Sequence, residues 1–283
     1  MPSPQSLPGG AWRMVAAMVL SGTIGWFVVT SGQPPLDVVF FRCIFGGAAL
    51  LGTLTLQRGW VRMSRAQLGW LALFSAYAYS GIAIATVVYH TQPFFLLLLT
   101  SAMQREPFPF ARLPWLVLAF AGVMLITGLE HGATGAAMLA GIGLALLAAL
   151  LYAVTTMATR RLQEIPPGQI AGLQMVLGVV MLAPLAHPAA GSYGTGTWAA
   201  LLALGLVHTG VMYTLLYGAF QRLSVVSIAT LSFVYPLVAI VIDVLVFGVV
   251  LGPLQIAGML LVLLGVVANQ LGWSLRWRRR AQG

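Results

Sequence analysis

The chain contains no lysine, and its 283 residues carry only five acidic side chains against fourteen arginines. Charged residues make up 7% of the total, where a soluble domain carries roughly a quarter. That is too little polar surface to coat a water-soluble globule. With 60% hydrophobic residues, window after window reaches membrane-spanning length. The scarcity of charge also removes nucleic acid as a partner, despite a net charge of +9. The arginines sit singly or in small groups between apolar segments, not on one folded basic face. Cysteine is nearly absent. Cys43 stands alone in an apolar run, so neither an internal disulfide nor a cysteine metal site is available. The chain also lacks the acid–histidine spacing of a zinc protease, a Gly-x-Ser-x-Gly elbow and a phosphate-cradling Gly-Lys loop. A membrane-embedded enzyme built from His90 and His208 is therefore disfavoured, as is any ATP-driven machine. No ring of like charges lines a candidate pore, which disfavours a channel for small solutes. Residues 1–10 read as a lead-in, with no cleavage site that would make them a removable signal peptide.

What is present is apolar sequence in long runs. Ten segments emerge: Met14–Thr30, Val38–Leu56, a short one within Ala66–Tyr79, Ile82–Met103, Leu113–Leu129, Ala136–Ala158, Gln169–Ala186, Trp198–Phe220, Val225–Phe247 and Leu254–Trp273. Breakers punctuate them at Gly32 to Pro35, Pro107 and Pro109, Pro166-Pro167-Gly168, Pro188 and Gly252-Pro253. The expected fold is an all-α polytopic membrane protein with ten transmembrane helices. Arginine placement supports that number. With the N-terminus inside, the cytoplasmic connectors collect Arg13; Arg58, Arg62 and Arg65; Arg105 and Arg112; Arg160 and Arg161; Arg222; and Arg276, Arg278, Arg279 and Arg280. Only Arg42 falls elsewhere, and the outer connectors hold Asp37, Glu130 and His131 instead. Such an asymmetry orients helices in the membrane, and one missed or invented helix would scramble it. Trp12, Trp60, Trp115 and Trp273 stand near proposed inner ends and Trp198 near an outer end, as interfacial anchors do.

The segments repeat. Pro93 and Gly122 recur as Pro236 and Gly265 at one common offset. Pro34-Pro35 recurs as Pro166-Pro167 at a somewhat shorter offset, which also carries Gly46 onto Gly178. Residues 1–132 thus form a first five-helix repeat and 133–283 a second, with the basic tail. An odd number of helices per repeat forces the second copy to enter the membrane inverted, a hallmark of secondary transporters. The mismatch between the two offsets means that the first repeat is the shorter, and the deficit falls around the third segment. Ala66 to Tyr79 spans about 21 Å as a helix against roughly 30 Å of hydrocarbon. That segment is expected to be short or irregular.

The fourth segment is the most informative. Its middle holds Tyr89, His90, Thr91 and Gln92, closed by Pro93. Polar groups at mid-membrane are costly unless they face protein or a water-filled cavity. The ninth segment repeats the pattern with Ser232, Tyr235 and Pro236. Five plus five inverted helices with this polar-then-proline signature resemble the drug/metabolite transporter superfamily and, within it, the EamA-type exporters. The run Ala83-Ile84-Ala85-Thr86-Val87-Val88-Tyr89-His90-Thr91-Gln92-Pro93-Phe94-Phe95 resembles the bacterial aromatic amino acid exporter branch. The resemblance implies a secondary transporter in the bacterial inner membrane, with both termini cytoplasmic, that exports small metabolites, amino acids foremost, by alternating access. The implied partners are the lipid bilayer and a small-molecule substrate such as an amino acid. No nucleic acid, cofactor or metal is expected, and a monomer is the working expectation.

A substrate cavity in such an architecture lies near the midplane between the repeats. The candidate substrate-binding residues are Trp26, Tyr77, Tyr79, Tyr89, His90, Gln92, Tyr152, His208, Tyr213, Thr230 and Tyr235, with Thr23, Thr155, Thr156, Tyr217 and Ser227 beside them. Aromatic walls with a few hydrogen-bonding groups suit a small amphipathic solute. Each Ser or Thr has a plain alternative, a bond back to its own helix or to a neighbour. His90 and His208 can carry a coupling proton or sit neutral against another helix. Pro93 and Pro236 are the candidate hinges, with a static kink as the alternative. Arg42 and Asp243, charges inside their segments, read as an outer-side ion pair or a snorkelling arginine, with Asp37 a rival partner, or else as a gate or a proton site. Gly122, Gly258 and Gly265 suit close helix packing. The orientation is testable. Gly10→Cys and Ala281→Cys are both expected to be shielded from an impermeant thiol reagent in intact cells, and labelling of either from outside overturns it.

Overall fold

The computed structural model describes residues 9–65, 67, 91–104, 108–127 and 136–273. The third segment within Ala66–Tyr79 lies almost entirely outside the described residues. So do the first half of the fourth segment, with Tyr89 and His90, and the candidates Tyr77 and Tyr79. The described residues are helical without strands: α1 Gly10–Ser31, α2 Pro35–Leu56, α3 Gln92–Gln104, α4 Leu113–Thr127, α5 Ala136–Arg161, α6 Pro167–Leu182, α7 Thr195–Phe220, α8 Val225–Phe247 and α9 Pro253–Gln270. A short 3-10 turn, Ala190–Ser192, precedes α7. By length and composition, α1, α2, α7, α8 and α9 each suffice to cross a membrane. Val180, Leu245, Leu260 and Val267 are exposed on outward faces, as residues meeting lipid are.

Prolines set several boundaries. α2, α6 and α9 each have proline at the first helical position, where the missing N–H would be unpaired anyway. The apolar run of the seventh segment predicts a helix to Ala186, but α6 stops at Leu182. Pro184 cannot donate to the helical ladder, so the apolar run outlasts the helix. α8 is broken between Leu231 and Val234. Pro236 supplies no N–H to the Ser232 carbonyl, and its ring crowds that turn. The gap is bridged by tighter bonds, Phe233 N–H to Thr230 O at 3.1 Å and Tyr235 N–H to Ser232 O at 3.3 Å. Pro93 stands in the first turn of α3.

Two helix pairs organise the bundle. α4 and α9 cross with backbones in contact. A Cβ added at Gly122 would lie 2.5 Å from Gly258 O and 2.8 Å from Val262 N, and one added at Gly265 would lie 2.6 Å from Trp115 O and 2.9 Å from Ala119 N. These contacts map onto one another. Gly265 follows Gly122, Gly258 follows Trp115 and Val262 follows Ala119, all at the offset that relates Pro236 to Pro93. The second pair, α2 and α6, is clamped at both ends. Asp37, third residue of α2, accepts from the His187 N–H beyond the end of α6 at 3.1 Å. Gln169, third residue of α6, follows Asp37 at the offset that relates Pro166 to Pro34, and it holds Val61 beyond the end of α2. Its Oε1 accepts from Val61 N–H at 3.0 Å and its Nε2 donates to Val61 O at 2.7 Å. Around these pairs, α1 packs along α7 and α8, and α3 along α5.

The glycine crossing makes a clear prediction. Gly122→Ala is expected to lower the thermal midpoint of the purified protein by an amount equivalent to about 1–3 kcal/mol, the usual range for overpacking. Gly25, with nothing within 4 Å of an added Cβ, is the control, and Gly25→Ala is expected to unfold at or slightly above the wild-type temperature.

Candidate functional site

The polar interior is built around a wide turn in α7. Between Leu206 and Val211 the backbone adopts π geometry, a local widening often found at functional sites. Two side chains turn back on the widened coil. Thr209 Oγ1 donates to Leu204 O at 2.9 Å, and His208 Nδ1 lies 3.2 Å from Ala203 O, each a partner five residues earlier. Met212 N–H bonds Thr209 O and Val207 O and so passes over the His208 carbonyl it would use in a regular helix. Arg42 of α2 approaches that carbonyl with Nη2 at 3.5 Å, while its Nε donates to Thr209 Oγ1 at 3.3 Å. α2 and α7 close together here because both are stripped of side chains at the crossing. A Cβ on Gly46 would collide with the Thr209 side chain, and one on Gly205 would collide with Phe45.

On the other side of the turn, His208 Nε2 lies 2.8 Å from Thr23 Oγ1 of α1, and Thr23 Oγ1 also lies 2.8 Å from Leu20 O. The geometry accommodates both protonation states of the imidazole. When neutral with hydrogen on Nδ1, the ring donates to Ala203 O and accepts from the Thr23 hydroxyl. When doubly protonated, Nε2–H donates to Thr23, whose hydroxyl turns to Leu20 O. The Phe27 ring packs on His208 with centroids 4.8 Å apart, and Trp26, which is exposed, packs on Phe27 at 4.9 Å.

A tyrosine cluster continues inward. Tyr213 and Tyr217 meet edge to face at 5.4 Å, Tyr152 of α5 meets Phe220 at 6.3 Å, and the Tyr217 hydroxyl donates to Gln174 Oε1 of α6. Tyr217 also stacks on Phe220 at 5.9 Å, so the three tyrosines gather around one phenylalanine and one another. The structure thus sets the expected residues Trp26, His208 and Thr23 at the wide turn, and Tyr213, Tyr217 and Tyr152 in the cluster that follows along α7, a polar track in two parts.

Other candidates sit apart. Thr155 and Thr156 donate to Leu151 O and Tyr152 O of their own helix. Thr230 is fully buried and takes a hydrogen bond from Asn269 Nδ2 of α9, the interhelical alternative for this residue. Ser227 bonds to Ser224, which caps the start of α8. Tyr235 packs, half-buried, on the apolar core. Gln92 is buried at the start of α3, and its Nε2 has no partner among the described residues. The hydrogen bonds of Arg42 go neither to Asp37, which is engaged with His187, nor to Asp243. Sequence reasoning missed Thr209, Gln174, Phe27 and the inward reach of Arg42. The glycines at 46, 205 and 210 were the available signal, since they let α2 and α7 approach at the level of these side chains.

Comparison with known proteins places this architecture. The family model described as the EamA-like transporter family matches residues 139–269. The Bacillus subtilis (strain 168) protein named uncharacterized transporter YxxF is 32% identical over 249 residues, covering 82% of this chain and 79% of its own. The chain belongs to the EamA-like transporter family. Another B. subtilis relative, uncharacterized transporter YcxC, is 24% identical over 297 residues, covering 94% and 95% of the two chains. A solved crystal structure superposes with a TM-score of 0.79 at 18% identity, covering 95% of this chain and 99% of that one, which shows a shared fold. This EamA-like protein is thus a multi-pass membrane protein of a transporter family, and its polar track is the candidate site.

The Thr230–Asn269 contact gives a test of which residues are structural. Thr230→Val removes the Thr230 hydroxyl from the Asn269 amide, leaving it only a long contact to Val226 O at 3.4 Å, and is expected to reduce stability by about 1–3 kcal/mol, read as a lower unfolding temperature in detergent. Thr230→Ser keeps the hydroxyl and is expected to stay close to wild type.

Proposed function

We propose that this EamA-like protein is a secondary transporter that exports small amphipathic metabolites, amino acids foremost, from the cytoplasm across the bacterial inner membrane. The observation that carries this reading is the gathering of polar and aromatic side chains along α7, with Thr23, His208, Thr209 and Arg42 at the wide turn and Tyr213, Tyr217 and Gln174 beyond it. Polar groups at that depth stabilise nothing unless they meet one another or a solute. Aromatic rings beside a few donors and acceptors are the surroundings an amphipathic solute needs.

Alternating access is the mechanism we infer. Its support is the pair of matching contacts between α4 and α9, in which each residue and its counterpart are separated by one common offset. This is the pattern that two inverted repeats, 1–132 and 133–283, would produce across a twofold axis in the membrane plane. Such repeats rock about a central site with both termini on the cytoplasmic side. The break of α8 before Pro236 supplies one bending point, and Pro93 at the start of α3 is its counterpart.

Counterflow in proteoliposomes tests the reading. Purified protein is expected to exchange labelled amino acids without ATP, and silence for all twenty while a sugar or a drug exchanges would remove amino acids from the proposal. Pro93→Ala and Pro236→Ala are each expected to slow exchange by about tenfold or more while protein abundance is unchanged, since one proline-bent turn redistributes a few kcal/mol. Normal exchange by both variants reduces the bends to static kinks.

A further inference from the structure

Among the described residues, Arg42 is a cation whose hydrogen bonds reach no carboxylate. It lies inside α2, where an ionised side chain is costly in the membrane unless it meets opposite charge, water or dipoles. Its partners are neutral oxygens, Thr209 Oγ1 at 3.3 Å and His208 O at 3.5 Å. A guanidinium presents five N–H donors in a planar fork. Two long contacts leave donors over, and the residue is only half-buried.

Direction matters as much as charge. A snorkelling arginine near the outer end of a helix would extend outward to the headgroups. Arg42 instead reaches Thr209, whose side chain packs on Gly46, one helical turn deeper along α2 than Arg42 itself. The guanidinium is therefore aimed into the bundle. Asp37 takes the His187 N–H, and no hydrogen bond of Arg42 reaches it.

We propose that Arg42 is the anchor for the carboxylate of the transported solute, and that the solute's apolar part lies toward Phe27 and Trp26. This rests on the transporter reading above and names the chemical class of its substrate: small carboxylates bearing an aromatic or large apolar group. The planar fork pairs with a carboxylate through two parallel hydrogen bonds, a geometry that lysine cannot reproduce. The hydroxyl of Thr209 holds one edge of the fork in place, and the carbonyl that the wide turn leaves without its usual helical partner approaches another. The His208 ring, packed on Phe27 with centroids 4.8 Å apart, belongs to the same residue whose carbonyl Arg42 approaches.

Binding to the full-length protein in lipid nanodiscs, followed by isothermal titration, separates the outcomes. Three probes share one ring: L-phenylalanine, 3-phenylpropionate with the carboxylate alone, and phenethylamine with the amine alone. The wild type is expected to bind the first two at least about tenfold more tightly than the third. Arg42→Gln is expected to erase that preference, and Arg42→Lys to restore part of it. Thermal midpoints of both variants, measured without ligand, show that they fold. An equal response to all three probes, including none, overturns the anchor, as does an undiminished preference in folded Arg42→Gln. Counterflow distinguishes this from a failure of the transport reading. Exchange without carboxylate preference leaves transport standing and removes the anchor. Carboxylate-selective binding with no exchange of any solute does the reverse.

Discussion

The constraint on which this molecule depends is the absence of water inside the bilayer. Every polar atom at depth must find a partner within the bundle or line a wet cavity. Many threonines and serines resolve this locally, by bonding to carbonyls one turn back: Thr100 to Leu96, Thr155 to Leu151, Thr159 to Thr155, Ser232 to Ile228. Asn269 and Thr230 resolve it across helices. Against this background the turn at Leu206–Val211 is exceptional, because there the backbone itself gives up a regular bond and the freed His208 carbonyl is approached by a side chain from α2, while the His208 ring meets Thr23 of α1. The site and the irregularity are one feature: widening the helix is what brings His208 and Thr209 into reach of Thr23 and Arg42.

Much of the architecture was legible before any coordinates. Pro35, Pro167 and Pro253 read as breakers close to the helix starts, and each is in fact the first helical residue, because proline at a first turn sacrifices nothing. Gly122, Gly258 and Gly265 marked the tight crossing, and Pro236 marked the break in α8. The end of α6 was misjudged, since hydrophobicity continues past Pro184 although helix geometry cannot. The site was half legible. Trp26, His208, Tyr213 and Tyr152 are betrayed by polar or aromatic character in an apolar run. Arg42 was visible but misread, because depth along a sequence does not say which way a long flexible side chain turns. The wide turn left no trace, for a π-turn has no compositional signature. Tyr77, Tyr79, Tyr89 and His90 lie outside the described residues.

The two ends of the α2–α6 pair are held by the same device in different chemistry. At one end an ionisable carboxylate takes a single N–H, and at the other a neutral amide makes two bonds to one peptide. Places that correspond in the sequence differ in chemistry while keeping one role. The pair is thus tied at both ends and acts as a frame against which the neighbouring helices are set.

The crossing of α4 and α9 has a mechanical consequence. Where side chains interdigitate, two helices can slide by hopping ridges from one groove to the next. At Gly122, Gly258 and Gly265 the glycines carry no ridge, and the opposite backbones approach directly, with Val262, Leu125 and Ala119 seated against them. Translation along the axes would drive Val262 and Ala119 into the opposite main chain, whereas a small rotation about the point of contact would not. The crossing is a fulcrum: it resists sliding, tolerates tilting, and directs relative motion of the flanking helices into a seesaw.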